Sequence, residues 1–384
     1  MKSSPLKMLW RMAKLPVPVY TLCFSVAVFA ADFPTQPADT GVSGVYEVMV
    51  GTTDAEKMIA HFDLFGFRPI AEKKLDADAA FRIYGIRAGL RSVRMQNADT
   101  DAHGLLRILE WENLLPGVGY ARPDTPGQRM AVMRTADIMR IVDVFKDERR
   151  SGQPWLVQEP VLDNIYQSPT ESPGLHDRRI AVRETGIWGA WFNHIFFQRY
   201  GYDLPGYGYL NEDSVFRASE FTHHDFILDK PLAEMVGYYV TALGFKPEQQ
   251  APVINGDWQP GARAVFSMPP GHSHEYMGMV SPNNIAGKLK FFHPLDRVFS
   301  SRIHRVAINA EGINMHSLFV DNLSQVKLLL REEGIESMPI VKNEFGEDSF
   351  VFTGPDNAHW QVLKLGKPPD KPPVTEFKLI DVNH

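Results

Sequence analysis

The sequence predicts an α+β fold built from one small unit used four times. Three features carry that reading: an amphipathic helical stretch that recurs, a glycine and then a proline closing each copy, and β-rich runs on both sides. The copies read DAEKMIAHFDLFGFRP at Asp54–Pro69, TADIMRIVDVFKDERRSGQP at Thr135–Pro154, DKPLAEMVGYYVTALGFKP at Asp229–Pro247 and NLSQVKLLLREEGIESMP at Asn322–Pro339. Their marker glycines Gly66, Gly152, Gly244 and Gly334 stand about 90 residues apart. That period exceeds the roughly 20 to 50 residues of a solenoid repeat and suits a self-contained α/β module.

Each copy opens with a strand-like run: GVYEVMV at Gly44–Val50, RMAVMR at Arg129–Arg134, HHDFIL at His223–Leu228 and MHSLFV at Met315–Val320. A helix follows, with Asp54, Thr135, Asp229 or Asn322 as the candidate N-cap, whose side-chain oxygen accepts from an otherwise unpaired backbone N–H. In the third copy Pro231 sits just inside the helix, where a missing N–H costs nothing. Leu232, Met235, Val236, Tyr239 and Leu243 follow the three-four spacing of one buried stripe. The four marker glycines fit left-handed C-caps, and the prolines prevent the helices from continuing. Further strand-like runs come next, such as AFRIYGI, RSVRMQ and LLRILEW in the first copy and SFVFTG and HWQVLKLG in the last. One module is therefore strand, helix, then about three strands.

Composition sets the outer bounds. Apolar residues make up 44% and charged residues 22%, the proportions of an ordinary globular protein, and 384 residues suffice for two domains. The net charge of −6 and the scattered Lys and Arg residues speak against a nucleic-acid partner. Residues 1–30 read as a signal peptide: Lys2, Lys7, Arg11 and Lys14 precede an apolar run, Val17–Ala31, too short to span a bilayer, and Val28 and Ala30 fit a cleavage site. Periplasmic or secreted localisation is expected, against the alternative of an uncleaved anchor. Cys23, the single cysteine, would leave with the signal, so neither a disulfide nor a thiol nucleophile is expected in the mature chain.

On the helix ending YYVTALGF at Tyr238–Phe245 and the closing hairpin and strand GPDNAHWQVLKL at Gly354–Leu365, the chain resembles the vicinal oxygen chelate superfamily, the group of glyoxalase I, extradiol dioxygenases and bleomycin-resistance proteins. The resemblance spans Gly44–Leu365. It implies that βαβββ modules pair into incomplete barrels, each around a metal and a small substrate. Taken in chain order, residues 41–200 would form one paired domain and 218–366 the other. Residues 201–217 would link them, and 367–384 would be a proline-rich tail.

The resemblance also implies a metal set drawn from the first and last strands of paired modules. Counting back from the helices places His224 and His316 at the first-strand positions, and imidazole suits zinc, nickel, manganese or iron. Glu275 would be the carboxylate ligand, with His274 replacing it if the strand slips by one residue. Gln361 stands where extradiol dioxygenases carry glutamate, a departure that weakens the iron dioxygenase reading. His359, His274 and His272 are the candidate acid/base groups, with an exposed strand histidine as the alternative for His359. In the first two modules the corresponding positions fall near Glu47, Met130, Glu110 and His194, a poor donor set that reads as structural or as a lid. The aromatic stretch Trp188–Tyr209 reads as core packing or as a cavity wall.

These features lead to an exported metalloenzyme in which a divalent ion chelates neighbouring oxygens of a small, possibly aromatic substrate, with lyase or isomerase chemistry. The alternatives are an extradiol-type dioxygenase and a non-catalytic protein that sequesters a small molecule.

Overall fold

A computed structural model describes residues 33–164, 180–255, 265–269, 271–284, 286–296, 300–366 and 378–379. The expected signal peptide, and all of the expected tail but Lys378–Leu379, lie outside the described residues. Among the described residues no helix is long and apolar enough to cross a membrane.

The first module runs β1 (Glu47–Thr52), α1 (Ala55–Asp63), β2 (Phe67–Leu75), α2 (Ala77–Tyr84), β3 (Leu90–Asn97) and β4 (Leu105–Trp111). The second runs β5 (Arg129–Thr135), α3 (Ile138–Arg150), β6 (Leu156–Val157), β7 (Val161–Asn164), β8 (Ala181–Trp188) and β9 (Asn193–Tyr200). After β10 (Tyr202–Asp203) the third contains β11 (Ala218–Ile227), α4 (Leu232–Met235), α5 (Tyr238–Thr241), β12 (Lys246–Pro247), β13 (Val253–Asn255), β14 (His274–Val280) and β15 (Lys288–Pro294). The fourth has β16 (Gly312–Phe319), α6 (Leu323–Glu332), β17 (Val341–Lys342), β18 (Asp348–Thr353) and β19 (His359–Lys364), and β20 (Lys378–Leu379) pairs with β10.

Local chemistry explains where the helices begin and end. Asp54 and Asn322 accept from Lys57 N and Gln325 N as expected, but the second helix is capped by Asp137, because Thr135 is still the last residue of β5. The third helix departs most. It breaks into two single turns at Val236–Gly237, and its first N–H, at Leu232, is satisfied by the Glu275 carboxylate rather than by Asp229. All four marker glycines have φ between 74° and 97°, the left-handed conformation in which a Cβ would clash. The run AFRIYGI, expected as a strand, is largely α2, capped by Asp76 and stopped by the left-handed Gly85.

The strands form two large sheets, and the order of pairing corrects the expected division into 41–200 and 218–366. One sheet runs β17-β18-β19-β16-β1-β4-β3-β2, joining the fourth module to the first; the other runs β12-β14-β15-β11-β5-β9-β8-β6, joining the third to the second. The seams are antiparallel contacts between first strands, β1 with β16 and β5 with β11. A repeat shows that modules are equivalent but not which first-strand edges meet, since every copy offers the same one. The inner pair is nested within the outer pair along the chain.

Each sheet is an incomplete barrel with the first helix of each module on its outer face; α2 alone among the described helices packs over an inner face, that of the first barrel. Two apolar clusters mix residues of both sheets with the helices. Val48, Leu106, Ala131 and Phe196 pack with α1 and α3; Phe226, Phe291, Leu318 and Trp360 pack with α4, α5 and α6. The helical faces therefore turn toward one another and the inner faces of the barrels point away. At ~1.5–3 kcal/mol for each large buried side chain, this shared interior is the main source of stability.

Candidate functional site

Alternation along a strand separates the inner from the helical face, so the inner residues of each barrel can be read directly. In the first barrel they are Glu47, Met49, Arg94, Arg107, Leu109, Met315, Ser317, Val351 and Gln361, and α2 packs over part of them through Ala80, Ile83 and Tyr84. At the centre lies the fully buried Arg107. Its Nε donates to Glu47 Oε1 at 3.0 Å, one terminal nitrogen donates to Glu47 Oε2, and the other donates to Gln361 Oε1 at 2.7 Å, Tyr84 Oη at 3.2 Å and Glu344 Oε1 at 3.3 Å. Glu47 also accepts from Arg94 at 2.6 Å and from Ser317 at 2.5 Å. Burial alone would raise the Glu47 carboxyl, but Arg107, Arg94 and Ser317 hold it below its ordinary value. A tethered guanidinium thus occupies the middle of this barrel, with its charge balanced and its donors used.

The second barrel is divided. Its half from the second module is mainly apolar, with Met130, Val132, Trp188, Ile195 and Phe197 in one cluster that extends to Phe266 and Phe292, and with Glu184 of β8 as a charged member paired across from Phe197. Its half from the third module is titratable. Asp225 stands opposite Lys290 across the parallel β11–β15 pair, and His223 stands opposite Lys288. Burial pushes the Asp225 carboxyl up to about 7 against the pull of Lys290, and its Oδ1 has no hydrogen-bond partner among the described residues. Burial would lower the Lys290 ammonium, yet Tyr276, Asp225, Tyr207 and Glu184 hold it above its ordinary value. Tyr207, within the aromatic stretch read as core packing or a cavity wall, is hydrogen-bonded through its hydroxyl to His223 Nδ1 at 2.6 Å, and Thr222 Oγ1 lies 3.1 Å from the same nitrogen. His223 Nε2 lies 4.0 Å from Asp225 Oδ1. His274 lies on the same inner face against Phe292, buried, with both ring nitrogens unpaired. Close approach shapes the floor, since a Cβ at Gly186 would come within 2.4 Å of Trp188 Nε1 and 2.6 Å of Gln158 Oε1.

His224 and His316 do meet, with ring centroids 5.1 Å apart. They meet on the helical faces, where the two sheets approach, among Phe221, Phe226 and Trp360. All four of their ring nitrogens are buried without a partner among the described residues, and burial pushes His224 down to about 3. Glu275 faces away from the second barrel's interior, where it accepts from Leu232 N at 3.0 Å and bonds His293 at 2.8 Å; its neighbour His274 takes the inner position. Gln361 is inside the first barrel, committed to Arg107. His359 is buried rather than exposed, and it is bonded through both ring nitrogens, to Thr353 at 2.8 Å and to the Val306 carbonyl at 3.1 Å. His272 precedes β14 in a turn, its backbone N–H bonded to Pro269. Of the positions in the first two modules, Glu47 and Met130 are inner, whereas Glu110 accepts from Ala55 N and His194 bonds His61, both on the helical side.

The donor sets do not suit a divalent ion. The His224–His316 pair brings two nitrogens and no carboxylate, and among the described residues no three His, Cys, Asp or Glu side chains group to hold a metal. Each barrel centre holds a fixed cation of its own that engages the nearby carboxylates: Glu47 and Glu344 are committed to Arg107, and Asp225 lies across the strand pair from Lys290. Asp225, Lys290, His223 and Tyr207 were not singled out by the sequence. The adjacent pair His223–His224 was the available signal, and the histidine chosen from it faces the other way.

The fold is that of the vicinal oxygen chelate proteins: βαβββ modules joined through their first strands into incomplete barrels. Two solved structures bear this out. A protein of Bacillus subtilis described as a candidate dioxygenase aligns at a TM-score of 0.52 with 8% identity, over 85% of this chain and 87% of that one. Glyoxalase I from Zea mays aligns at 0.51 with 10% identity, over 84% and 92%. No protein-family model matches the sequence, and no curated protein matches it.

Proposed function

We propose that the second barrel binds a small organic molecule with an apolar or aromatic body and a carbonyl or carboxylate oxygen, and moves a proton on it in an isomerase- or lyase-type reaction. The observation that carries this reading is Asp225: a buried carboxylate with one oxygen unpaired, set across the strand pair from Lys290 and facing an apolar wall. The body of the ligand packs on Met130, Val132 and Ile195, and its oxygen is drawn to the Lys290 ammonium. Asp225 takes a proton from the carbon beside the carbonyl. The electron pair of the broken C–H bond moves into the adjoining C–C bond, and the carbonyl pair moves onto oxygen. Lys290 offsets that oxyanion in a site with little water. Return of the proton to the opposite face of the same carbon, as the oxyanion pair re-forms the carbonyl, gives an epimer; expulsion of a leaving group from the next carbon, with the Asp225 proton passing to that group, gives a lyase product.

The test follows solvent-deuterium incorporation by NMR into a panel of enolisable aryl ketones and aryl keto acids. Exchange above background in the native protein, reduced at least about 100-fold in Asp225→Asn, is expected. Exchange unchanged in Asp225→Asn would overturn the proposal, and ligand binding without exchange in either protein would establish sequestration instead. Export belongs to the same proposal: N-terminal sequencing of the mature protein is expected to begin at Ala31, and a retained Met1 would refute it.

A further inference from the structure

On the helical side of the molecule, away from both barrel interiors, a cavity of about 630 Å³ opens between α1 and α3. Trp155, Trp191, Leu64 and Val144 give it apolar and aromatic walls, and His61 lines it. The indoles are held in place: Trp155 donates Nε1–H to Glu148 at 2.7 Å, packs edge-on against Phe145 at 5.0 Å and lies 5.2 Å from Trp191. His61 sits 4.7 Å edge-on from Trp191.

The protonation of His61 follows from its neighbour. Its Nε2 lies 2.9 Å from Nε2 of His194, so one ring donates and the other accepts. Burial lowers the proton affinity of both rings, which are neutral at ordinary pH. His194 is fully buried and its Nδ1 has no partner among the described residues. An unpaired buried N–H is the rarer and costlier arrangement, so His194 carries its proton on Nε2 and donates it to His61. The remaining proton of His61 is then on Nδ1. The dyad therefore fixes an N–H donor in a ring that borders an aromatic-walled cavity.

We propose that this cavity is a second small-molecule site, selective for a planar aromatic ligand that carries a hydrogen-bond acceptor, with His61 Nδ1–H reading the acceptor. The volume lies within the ~300–1,000 Å³ usual for such sites. Trp155 and Trp191 supply aromatic faces and edges at fixed positions, and the single donor sets the ligand's orientation. The site is separate from the Asp225 barrel and does not depend on its activity.

Quinoline and naphthalene share an outline and differ by one ring nitrogen, which makes them suitable probes. Ligand-observed NMR titrations into the full chain are expected to show quinoline binding roughly fivefold tighter than naphthalene. In His61→Phe naphthalene binding should remain and the preference should vanish; Trp191→Ala should weaken both. Val144→Trp, which fills the cavity from α3 without touching the dyad, should abolish both while the circular dichroism spectrum is retained, and Asp225→Asn should change neither. Equal affinities in the native protein, a preference that survives His61→Phe, or binding lost in Asp225→Asn would each overturn the assignment.

Discussion

Arg107 shows how a single side chain sets the character of a whole barrel. Its guanidinium is surrounded by Glu47, Glu344, Gln361 and Tyr84, so deletion would leave Glu47 buried with only part of its countercharge. Arg107→Met should therefore lower unfolding stability by about 3–5 kcal/mol, measured as the urea midpoint at unchanged slope. The buried histidines make a second prediction. Burial holds His224 at about 3 and His274 and His359 at about 4 in the folded chain. An unfolded histidine titrates near ~6.5, so below that pH the unfolded chain binds more protons. Stability should fall as pH drops from about 6.5 toward 4, in the same direction as protonation of Glu47 at still lower pH. A urea midpoint independent of pH across that window would show that these rings are not buried neutral.

Among the elements, helix boundaries rest on identifiable caps. Asp137 accepts the Arg140 N–H at 3.1 Å on an exposed helix start, so Asp137→Ala should cost about 1 kcal/mol in thermal or chemical denaturation. The module pattern was legible because its signals are local: an N-cap, an apolar stripe, a left-handed glycine. Strand faces were not. All of β11 and β16 is buried, so polar residues do not alternate with apolar ones to mark which side faces the barrel. A shift of one residue in each strand separates His224 and His316, on the helical face, from the inner His223 and Ser317, as it separates Glu275 from the inner His274. Inner positions such as Glu47 and Gln361 were found, but their partner Arg107 was not, because a charge in LLRILEW reads as an exposed strand face. The α2 stretch was missed for a related reason: AFRIYGI has strand-like aromatics, and only Asp76 and Gly85 at its ends disclose a helix.

At the scale of the molecule, the nested pairing makes the two halves of the sequence interdependent. A fragment of residues 33–200 would expose the seam edges of both β1 and β5, and its complement would expose those of β16 and β11. Each fragment expressed alone is expected to lack a cooperative unfolding transition. Mixing the two during refolding should restore the transition, as followed by circular dichroism; independent folding of either half would contradict the topology.

The contact between Ser317 and Glu47 closes a loop of 270 residues. On the ribosome, β1 pairs with β4 of its own module early, but its other edge waits for nearly the entire polypeptide before β16 exists, while β5 meets β11 much sooner. Such long-range closure is slow and leaves an apolar strand edge bare in the interim. Nascent chains of this protein should depend on holding factors until synthesis is almost finished, with the inner barrel assembling first and the outer one closing last.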